Sequence, residues 1–270
     1  MNIKTYINHP IFRKNPIRII YFTLKWFYYV LINKNKITLK LFKSFSVYIF
    51  FNKKKLGVYG HTYIYRGYIS EVIPYAISKY LDENDNFIDV GANFGLWSLF
   101  ASKINVNAKV YSFEPVTISY NNFVENIKLN NNNNIIPNKF GLSNKNEELE
   151  IFIPEDLGSS SIVSVNSKDS EIIKLKKLDD CKIKNVKVIK VDVEGFEAKV
   201  LEGAKEILKV QKPIIIIEVV ESNLKAASSS PEEIFDFFTS VNYRLYDYIN
   251  NQEVEIFRFN SDGDFIAKPI

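Results

Sequence analysis

Short apolar runs alternate with segments of helical spacing along most of the chain. The runs that end at Val90, Phe113 and Val191 each lead into a turn and then a helical segment, and the run PIIIIEVV (213–220) is rich in β-branched residues. Such a run is typical of a buried central strand. Regular alternation of strands and helices predicts an α/β fold with a doubly wound parallel sheet, whose ligands bind at the carboxyl ends of the strands. YRLYDY and EVEIFRFN are predicted to close the chain as two strands.

The first 66 residues follow a different pattern. We expect them to form a basic, aromatic-rich N-terminal extension, and we expect residues 67–270 to form the main domain. An apolar run from Ile17 to Ile32, interrupted by Arg18 and Lys25, lies within residues 15–36. It is shorter than the roughly 20 apolar residues that cross a bilayer, so we do not expect a transmembrane helix. A signal peptide is also disfavoured, because it requires a small-residue cleavage site and none follows the run. Two interpretations stay open: a helix on an anionic membrane surface, or a helix packed on the rest of the protein.

The charge of the chain is divided unevenly. Its 270 residues carry a net charge of +4, yet residues 1–70 contain 13 Lys or Arg and no Asp or Glu. The other 200 residues hold 22 basic and 31 acidic side chains. A basic arm that faces a partner therefore precedes a mildly acidic body. We expect the protein to be cytoplasmic. On the membrane interpretation, residues 13–55 make peripheral contact with the anionic inner face of the membrane.

The few cysteines and histidines limit the chemistry of the chain. With Cys181 as its one cysteine, the chain has no intrachain disulfide and no cysteine zinc cluster, which fits a reducing compartment. Two histidines exclude a histidine-rich metal site. Asp192 and Glu194 could together hold Mg²⁺ through oxygen ligands, but no other feature of the sequence supports this, and we expect no metal.

The segment NFIDVGANFGLWSLFA (86–101) predicts a strand, a glycine turn and a helix. The turn contains Gly91 and Gly95, but it lacks the G-x-G-x-x-G pattern of a dinucleotide fold and the pattern of a phosphate-binding loop. It suits a nucleoside whose tail carries no phosphate, such as S-adenosylmethionine, with Asp89 and Asn93 near the amino-acid end of that ligand. Glu114, which closes the next strand, is placed to accept hydrogen bonds from ribose hydroxyls.

A nicotinamide-dependent reductase is the competing interpretation of this topology. Its Tyr-x-x-x-Lys pair should follow the glycine turn, whereas YFTLK (21–25) and YAISK (75–79) both precede it. The reductase interpretation is therefore disfavoured.

Four motifs together resemble the FkbM family of S-adenosylmethionine-dependent methyltransferases. They are FIDVGANFG, FEP, KVDVEGFEAKVLEGA and PIIIIEV, and the resemblance covers about residues 67–220. It implies a Rossmann-like class I methyltransferase fold, with a mostly parallel seven-stranded sheet and helices on both faces. It also implies methyl transfer to hydroxyl oxygens of sugars or macrolide-type products.

The resemblance assigns a role to several individual residues. The first motif of the family corresponds to Asp89, Gly91, Asn93 and Gly95, and its ribose-binding acid corresponds to Glu114. The resemblance implies that these residues bind the cofactor. Phe140 and Gly141 would approach the adenine ring. Ser159 and Ser160 resemble a small-residue loop of the family and are candidates for substrate contact. The K-x-D-x-E-G stretch of the family corresponds to Lys190, Asp192, Glu194 and Gly195.

Methyl transfer to a hydroxyl calls for a base, and the sequence offers several carboxylates. Asp192 and Glu194 are the leading candidates, because side chains two apart lie on the same face of a strand and neighbouring carboxylates can push their pKa values apart. Either could instead cap the helix that starts near Phe196. Substrate contact is further predicted for Lys190, for Glu218 at the end of the IIIIE strand and for His61, whose alternative is a packing role.

The leading hypothesis is an O-methyltransferase that acts on a glycan or glycolipid, such as a polysaccharide or lipopolysaccharide intermediate. A second is a non-catalytic membrane or glycan-assembly adaptor on a degenerate cofactor fold. A third is an RNA methyltransferase with a basic arm. The N/D-P-P-Y signature of base methylation is absent, and we expect no nucleic-acid partner.

Overall fold

The computed structural model describes residues 15–32, 36–41, 45–50, 60, 62–64, 70–107, 109–153 and 170–270. These residues belong to two compact units, with Glu71 in the first and Val72 in the second. The domain division at residue 66 stays a prediction. The candidate residues His61, Ser159 and Ser160 lie outside the described residues, so their roles stay predictions as well.

The first unit contains a helix and a hairpin. Helix α1 spans Pro16–Leu31, within the range predicted for a helix. The Asn15 side chain accepts a hydrogen bond from the backbone N–H of Arg18 (3.4 Å), which caps the first turn. Strands β1 (Lys36–Leu41) and β2 (Phe45–Phe50) pair antiparallel. Among the helices that the structure describes, none is both long enough and apolar enough to serve as a membrane span.

The second unit is built on a large sheet and a smaller one. In chain order its strands are β3 (Asn86–Val90), β4 (Val110–Phe113), β5 (Ile135–Asn138), β6 (Gly141–Leu142), β7 (Glu147–Phe152), β8 (Ser170–Lys176), β9 (Val186–Val191), β10 (Ile214–Val219), β11 (Tyr243–Ile249), β12 (Gln252–Ile256) and β13 (Gly263–Pro269). The large sheet has the order β12-β11-β13-β10-β9-β3-β4-β5, and the small sheet has the order β6-β8-β7.

The helices of the second unit connect these strands. They are α2 (Val72–Tyr80), α3 (Leu96–Ile104), α4 (Thr117–Asn130), α5 (Glu197–Glu202), α6 (Lys205–Gln211), α7 (Glu221–Ala226) and α8 (Pro231–Ser240), with a short 3₁₀ turn at Asp179–Cys181.

The pairing of the strands confirms the predicted α/β class. Strands β5, β4, β3, β9 and β10 run parallel, and β13, β11 and β12 continue the sheet with antiparallel pairs. The carboxyl ends of β3, β4, β9 and β10 therefore lie along one edge of the sheet. The sheet has eight strands instead of seven. Two strands were predicted at the end of the chain, and the third, β13, lies between β10 and β11.

The core lies on both faces of the large sheet. Ile215 and Ile217 of β10 belong to one apolar cluster with Ala198 of α5 and Ile234 of α8. Ile216, whose side chain points to the opposite face, is also fully buried, and α2 packs against β10. The prediction of a buried central strand at residues 213–220 is confirmed.

Candidate active site

The turn after β3 is packed so closely that its glycines are required. Gly91 has φ +76° and Gly95 has φ +88°, a region that residues with a Cβ rarely adopt. A Cβ on Gly91 would lie 1.8 Å from the carbonyl oxygen of Asp192, and a Cβ on Gly95 would lie 2.0 Å from the ring of Phe123. The turn is thus pressed against the chain that follows β9, where the predicted catalytic acids are found.

Glu114 fastens this turn to the end of β4. Its carboxylate accepts hydrogen bonds from the backbone N–H groups of Asn93 (2.8 Å) and Val116 (2.9 Å), and the residue is buried. Burial raises the pKa of Glu114 to about 7, although the two backbone hydrogen bonds oppose the shift. Because each carboxylate oxygen has a second lone pair, Glu114 can still accept hydrogen bonds from a ligand.

Asn93 presents an acceptor that no group in the described structure satisfies. Its side-chain Oδ1 is buried and has no hydrogen-bond partner among the described residues, and its backbone has φ +52°. A buried polar atom without a partner is costly, and it indicates a missing donor. S-adenosylmethionine offers donors of this kind in its ribose hydroxyls and its ammonium group, so Asn93 and Glu114 fit that ligand.

Lys190 is enclosed between the glycine turn and the acidic cluster. Strand register places it opposite Asp89, and its Nζ lies 3.4 Å from Asp89 Oδ1, 3.0 Å from Asp192 Oδ2 and 3.4 Å from the carbonyl oxygen of Gly91. Burial would lower the pKa of Lys190, but the charges of Asp192 and Asp89 outweigh burial and hold that pKa above its usual range. Lys190 is 2% exposed, so it links the two parts of the site and offers no surface to a substrate.

Asp89 makes a hydrogen bond through one carboxylate oxygen, while the other, Oδ1, has no hydrogen-bond partner among the described residues. It is fully buried, and the Ser98 hydroxyl donates to its Oδ2 at 2.5 Å, while Lys190 faces its Oδ1. Asp89 thus contacts both Lys190 and Ser98 of α3, and its predicted place beside the cofactor stays a prediction.

Three carboxyl groups meet where β9 and β10 end. Oxygens of Asp192, Glu194 and Glu218 all lie within 4.8 Å of one another, a group that could hold a metal ion. The two acids predicted as catalytic are therefore brought together, and Glu218 joins them. The expectation of a metal-free site stays a prediction.

Two of the three acids have raised pKa values. Burial, followed by the charge of Asp192, raises the pKa of Glu194 to about 7. Burial and then the charges of Asp192 and Asp264 raise the pKa of Glu218 to about 10, so Glu218 is protonated at neutral pH. Glu194 consequently changes charge near neutrality.

Two supporting residues were not anticipated from the sequence. The Asn223 side-chain amide donates to Glu194 Oε2 at 2.6 Å, and Ser98 holds Asp89. No side-chain hydrogen bond caps α5 at its N-cap residue Phe196. Glu197 instead holds the turn before α5, because its Oε1 accepts hydrogen bonds from the N–H groups of Val193 (3.0 Å) and Gly195 (3.1 Å). No local pattern marks Asn223, because it reaches Glu194 from a different connection of the sheet.

The residues predicted beside adenine contact Phe113 and Pro115, the chain neighbours of Glu114. Phe140 packs edge-on against Phe113, with ring centroids 5.3 Å apart, and the Lys176 ammonium lies 4.6 Å from the centroid of the Phe140 ring. Gly141 begins β6 and approaches Pro115. The Phe140 ring therefore packs against the end of β4, the strand that Glu114 follows.

Comparison with known proteins identifies the family of the chain. The methyltransferase FkbM domain matches residues 89–245, more than half of the chain. The chain is similar to the hexuronic acid methyltransferase AglP of Haloferax volcanii, with 26% identity over 189 residues, 68% of this chain and 70% of that protein. Methyltransferase 1 of Beauveria bassiana is 27% identical over 146 residues, 44% of this chain and 59% of that protein.

A solved structure shares the fold. The crystal structure of methyltransferase FkbM from Methylobacillus flagellatus KT matches with a TM-score of 0.51 and 14% identity, over 77% of this chain and 52% of that chain. The chain thus spans about half of that structure and less than two thirds of the fungal relative. With the domain match, the chain belongs to the FkbM family of S-adenosylmethionine-dependent methyltransferases.

Proposed function

We propose that the protein transfers a methyl group from S-adenosylmethionine to a hydroxyl oxygen of a sugar in a glycan or glycolipid. The observation that carries the proposal is the carboxyl cluster beside the glycine turn, in which Glu194 has a pKa of about 7. Such a group suits the removal of a proton from a hydroxyl near neutral pH. The name of AglP, a hexuronic acid methyltransferase, supports a sugar as the acceptor.

The cofactor would be held by the residues around the glycine turn. Glu114 would accept hydrogen bonds from the ribose hydroxyls, and Asn93 would accept a hydrogen bond from a further donor of the cofactor. Phe140 would pack near the adenine. The sulfonium of bound S-adenosylmethionine supplies an activated methyl group. Asp89 would act by keeping Lys190 in place.

Each of the three carboxyl groups would have a different role in methyl transfer. Glu194 would accept the proton of the attacking hydroxyl, with Asn223 fixing its orientation. Asp192, held by Lys190 at 3.0 Å, would orient the acceptor, and the protonated Glu218 would donate a hydrogen bond within the cluster. A positioned base contributes roughly 10²–10⁴-fold to such a reaction.

We further propose that the reaction needs no metal, because the Lys190 ammonium already supplies a positive charge 3.0 Å from Asp192. Dialysis against a chelator should leave turnover unchanged. If chelation abolishes turnover and Mg²⁺ restores it, the cluster of Asp192, Glu194 and Glu218 is a metal site, and the proposed division of roles is wrong.

We also propose that the protein is cytoplasmic and meets its acceptor at the inner face of the membrane, with residues 13–55 in peripheral contact with anionic lipid. The 13 basic and no acidic side chains of residues 1–70 support this. We propose no nucleic-acid acceptor.

Mass spectrometry of surface glycans from cells with and without the gene tests the acceptor. We expect one sugar to lose the mass of a methylene group when the gene is absent, and unchanged glycans would contradict the assignment. Calorimetry with S-adenosylmethionine separates the enzyme from the adaptor, since a degenerate cofactor fold would not bind it.

A further inference from the structure

Helix α1 carries a continuous apolar face that is open to solvent. Ile17, Leu24 and Leu31 are 80%, 66% and 80% exposed, and they recur every seven residues, so they lie along one line of the helix. Four more exposed side chains flank that line. We define the outer face of α1 as Ile17, Ile20, Tyr21, Leu24, Phe27, Tyr28 and Leu31.

The opposite side of α1 is already used for packing. Ile19 and Trp26 are buried, and Trp26 and Phe22 lie 5.6 Å and 5.9 Å from the ring centroid of Tyr63. The helix is therefore attached to its own unit through one side, and its outer face is not needed for that packing. A contiguous exposed apolar surface of this kind marks a binding surface.

The side chains of α1 change character in order around the helix. Beside the aliphatic line lie Tyr21 and Tyr28, and beyond the tyrosines lie Arg18 and Lys25. The Lys25 ammonium reaches the Tyr21 hydroxyl at 3.5 Å. Aliphatic, aromatic and then cationic side chains match the acyl, interfacial and headgroup layers of a membrane.

Resting on the peripheral membrane contact proposed above for residues 13–55, we propose that the outer face of α1 is a membrane-docking surface that inserts in the plane of an anionic bilayer, with Arg18 and Lys25 at the headgroups. The helix has 16 residues and is about 24 Å long, too short for a hydrocarbon core of about 30 Å, so it would lie along the surface. Residues 1–70 carry no acidic side chain. This basic segment is attracted to anionic lipid, and it would repel the equally basic segment of a second copy of the chain.

Co-sedimentation of the full chain with vesicles tests this surface. We expect binding to vesicles of phosphatidylcholine and phosphatidylglycerol to exceed binding to phosphatidylcholine alone by at least about tenfold, and to weaken at high salt. Leu24→Asp and Leu31→Asp should each lower the partition coefficient at least about tenfold, because a charge replaces an inserted apolar group.

The control is Phe257→Asp, which adds the same charge at a position 81% exposed in the second unit and should bind vesicles like the unmodified protein. Equal binding to both vesicle types, no binding to either, or equal loss in the control would overturn the proposal. So would a dimer in solution that Leu24→Asp dissociates. Calorimetry with S-adenosylmethionine should be unchanged in Leu24→Asp; a chain that never binds the cofactor contradicts the proposed function and not this surface.

Discussion

Lys190 connects the two parts of the candidate active site. It lies between Asp89, which precedes the cofactor turn, and Asp192, which belongs to the carboxyl cluster. An uncompensated charge in such a position costs about 3–5 kcal/mol, so the three side chains depend on one another. One cation therefore fixes the distance between the turn and the cluster.

The pKa of Glu194 leads to a prediction about turnover. For Glu194→Gln we expect kcat to fall about 10²–10⁴-fold, because the amide cannot accept the proton, with little change in affinity for S-adenosylmethionine. In the unmodified protein kcat/KM should rise with pH and level off above about 7, where Glu194 is ionised. Steady-state kinetics across pH measures both effects.

The matched control is Glu206→Gln, an exposed acid on α6, which should keep both the rate and the pH profile. A Glu194→Gln variant with full activity would show that another group is the base.

Glu218 should make the protein less stable as pH rises. Its pKa is about 10 in the folded chain against an ordinary 4.5, so between these values the folded state binds more protons than the unfolded state and the free energy of unfolding falls. In Glu218→Gln the side-chain amide still donates a hydrogen bond, but it does not ionise as the pH rises. We expect the variant to be about 1–3 kcal/mol more stable at pH 7, with the difference vanishing below pH 4.5.

Urea unfolding at several pH values measures this difference. Stability curves that stay parallel at all pH values would contradict the raised pKa of Glu218.

At the scale of elements, the glycine turn and the chain after β9 form one packed unit. The Cβ clash at Gly91 is with the backbone of Asp192, which cannot move as a flexible side chain would. Gly91→Ala should therefore lower the free energy of unfolding by about 2–4 kcal/mol and weaken cofactor binding at least tenfold. Chemical denaturation and calorimetry measure the two quantities.

Gly263→Ala is the control for this prediction. Gly263 also has a positive φ, +157°, but its added Cβ would meet nothing within 4 Å, so that variant reports backbone strain alone. Equal losses in the two variants would show that the contact with Asp192 is unimportant.

Element types were predictable where the local pattern was strong. The strand, turn and helix at 86–104 follow from the spacing of apolar residues, and so does β10. Strand β13 was missed because GDFIAKP follows a polar stretch and has only three fully apolar buried positions, Phe265, Ile266 and Ala267. Its placement in the sheet is decided by β10 and β11, which are distant in sequence.

At the scale of the whole molecule, cofactor binding should stabilise the folded chain. A ligand that binds only the folded state, at a hundred times its Kd, adds about 2.7 kcal/mol, which corresponds to about 5–10 °C in Tm for a domain of this size. We expect S-adenosylmethionine to give this shift in a thermal melt. ATP should not, because the turn lacks a phosphate-binding pattern, and a larger shift with ATP would contradict the assigned ligand.

The sequence by itself determined the α/β class, the glycine turn, Glu114 at the end of the next strand, and the pair of Asp192 and Glu194. These features are local: each depends on residues a few positions apart, and periodicity and turn chemistry act over that range.

Only the tertiary structure decided which of these residues act together. Strand register set Lys190 opposite Asp89 and Asp264 opposite Glu218, and the connection after β10 brought Asn223 to Glu194. The burial of Lys190, the raised pKa values of Glu194 and Glu218 and the open outer face of α1 all depend on which surfaces meet. Burial and charge proximity are properties of packing between distant segments, and no short stretch of sequence encodes them.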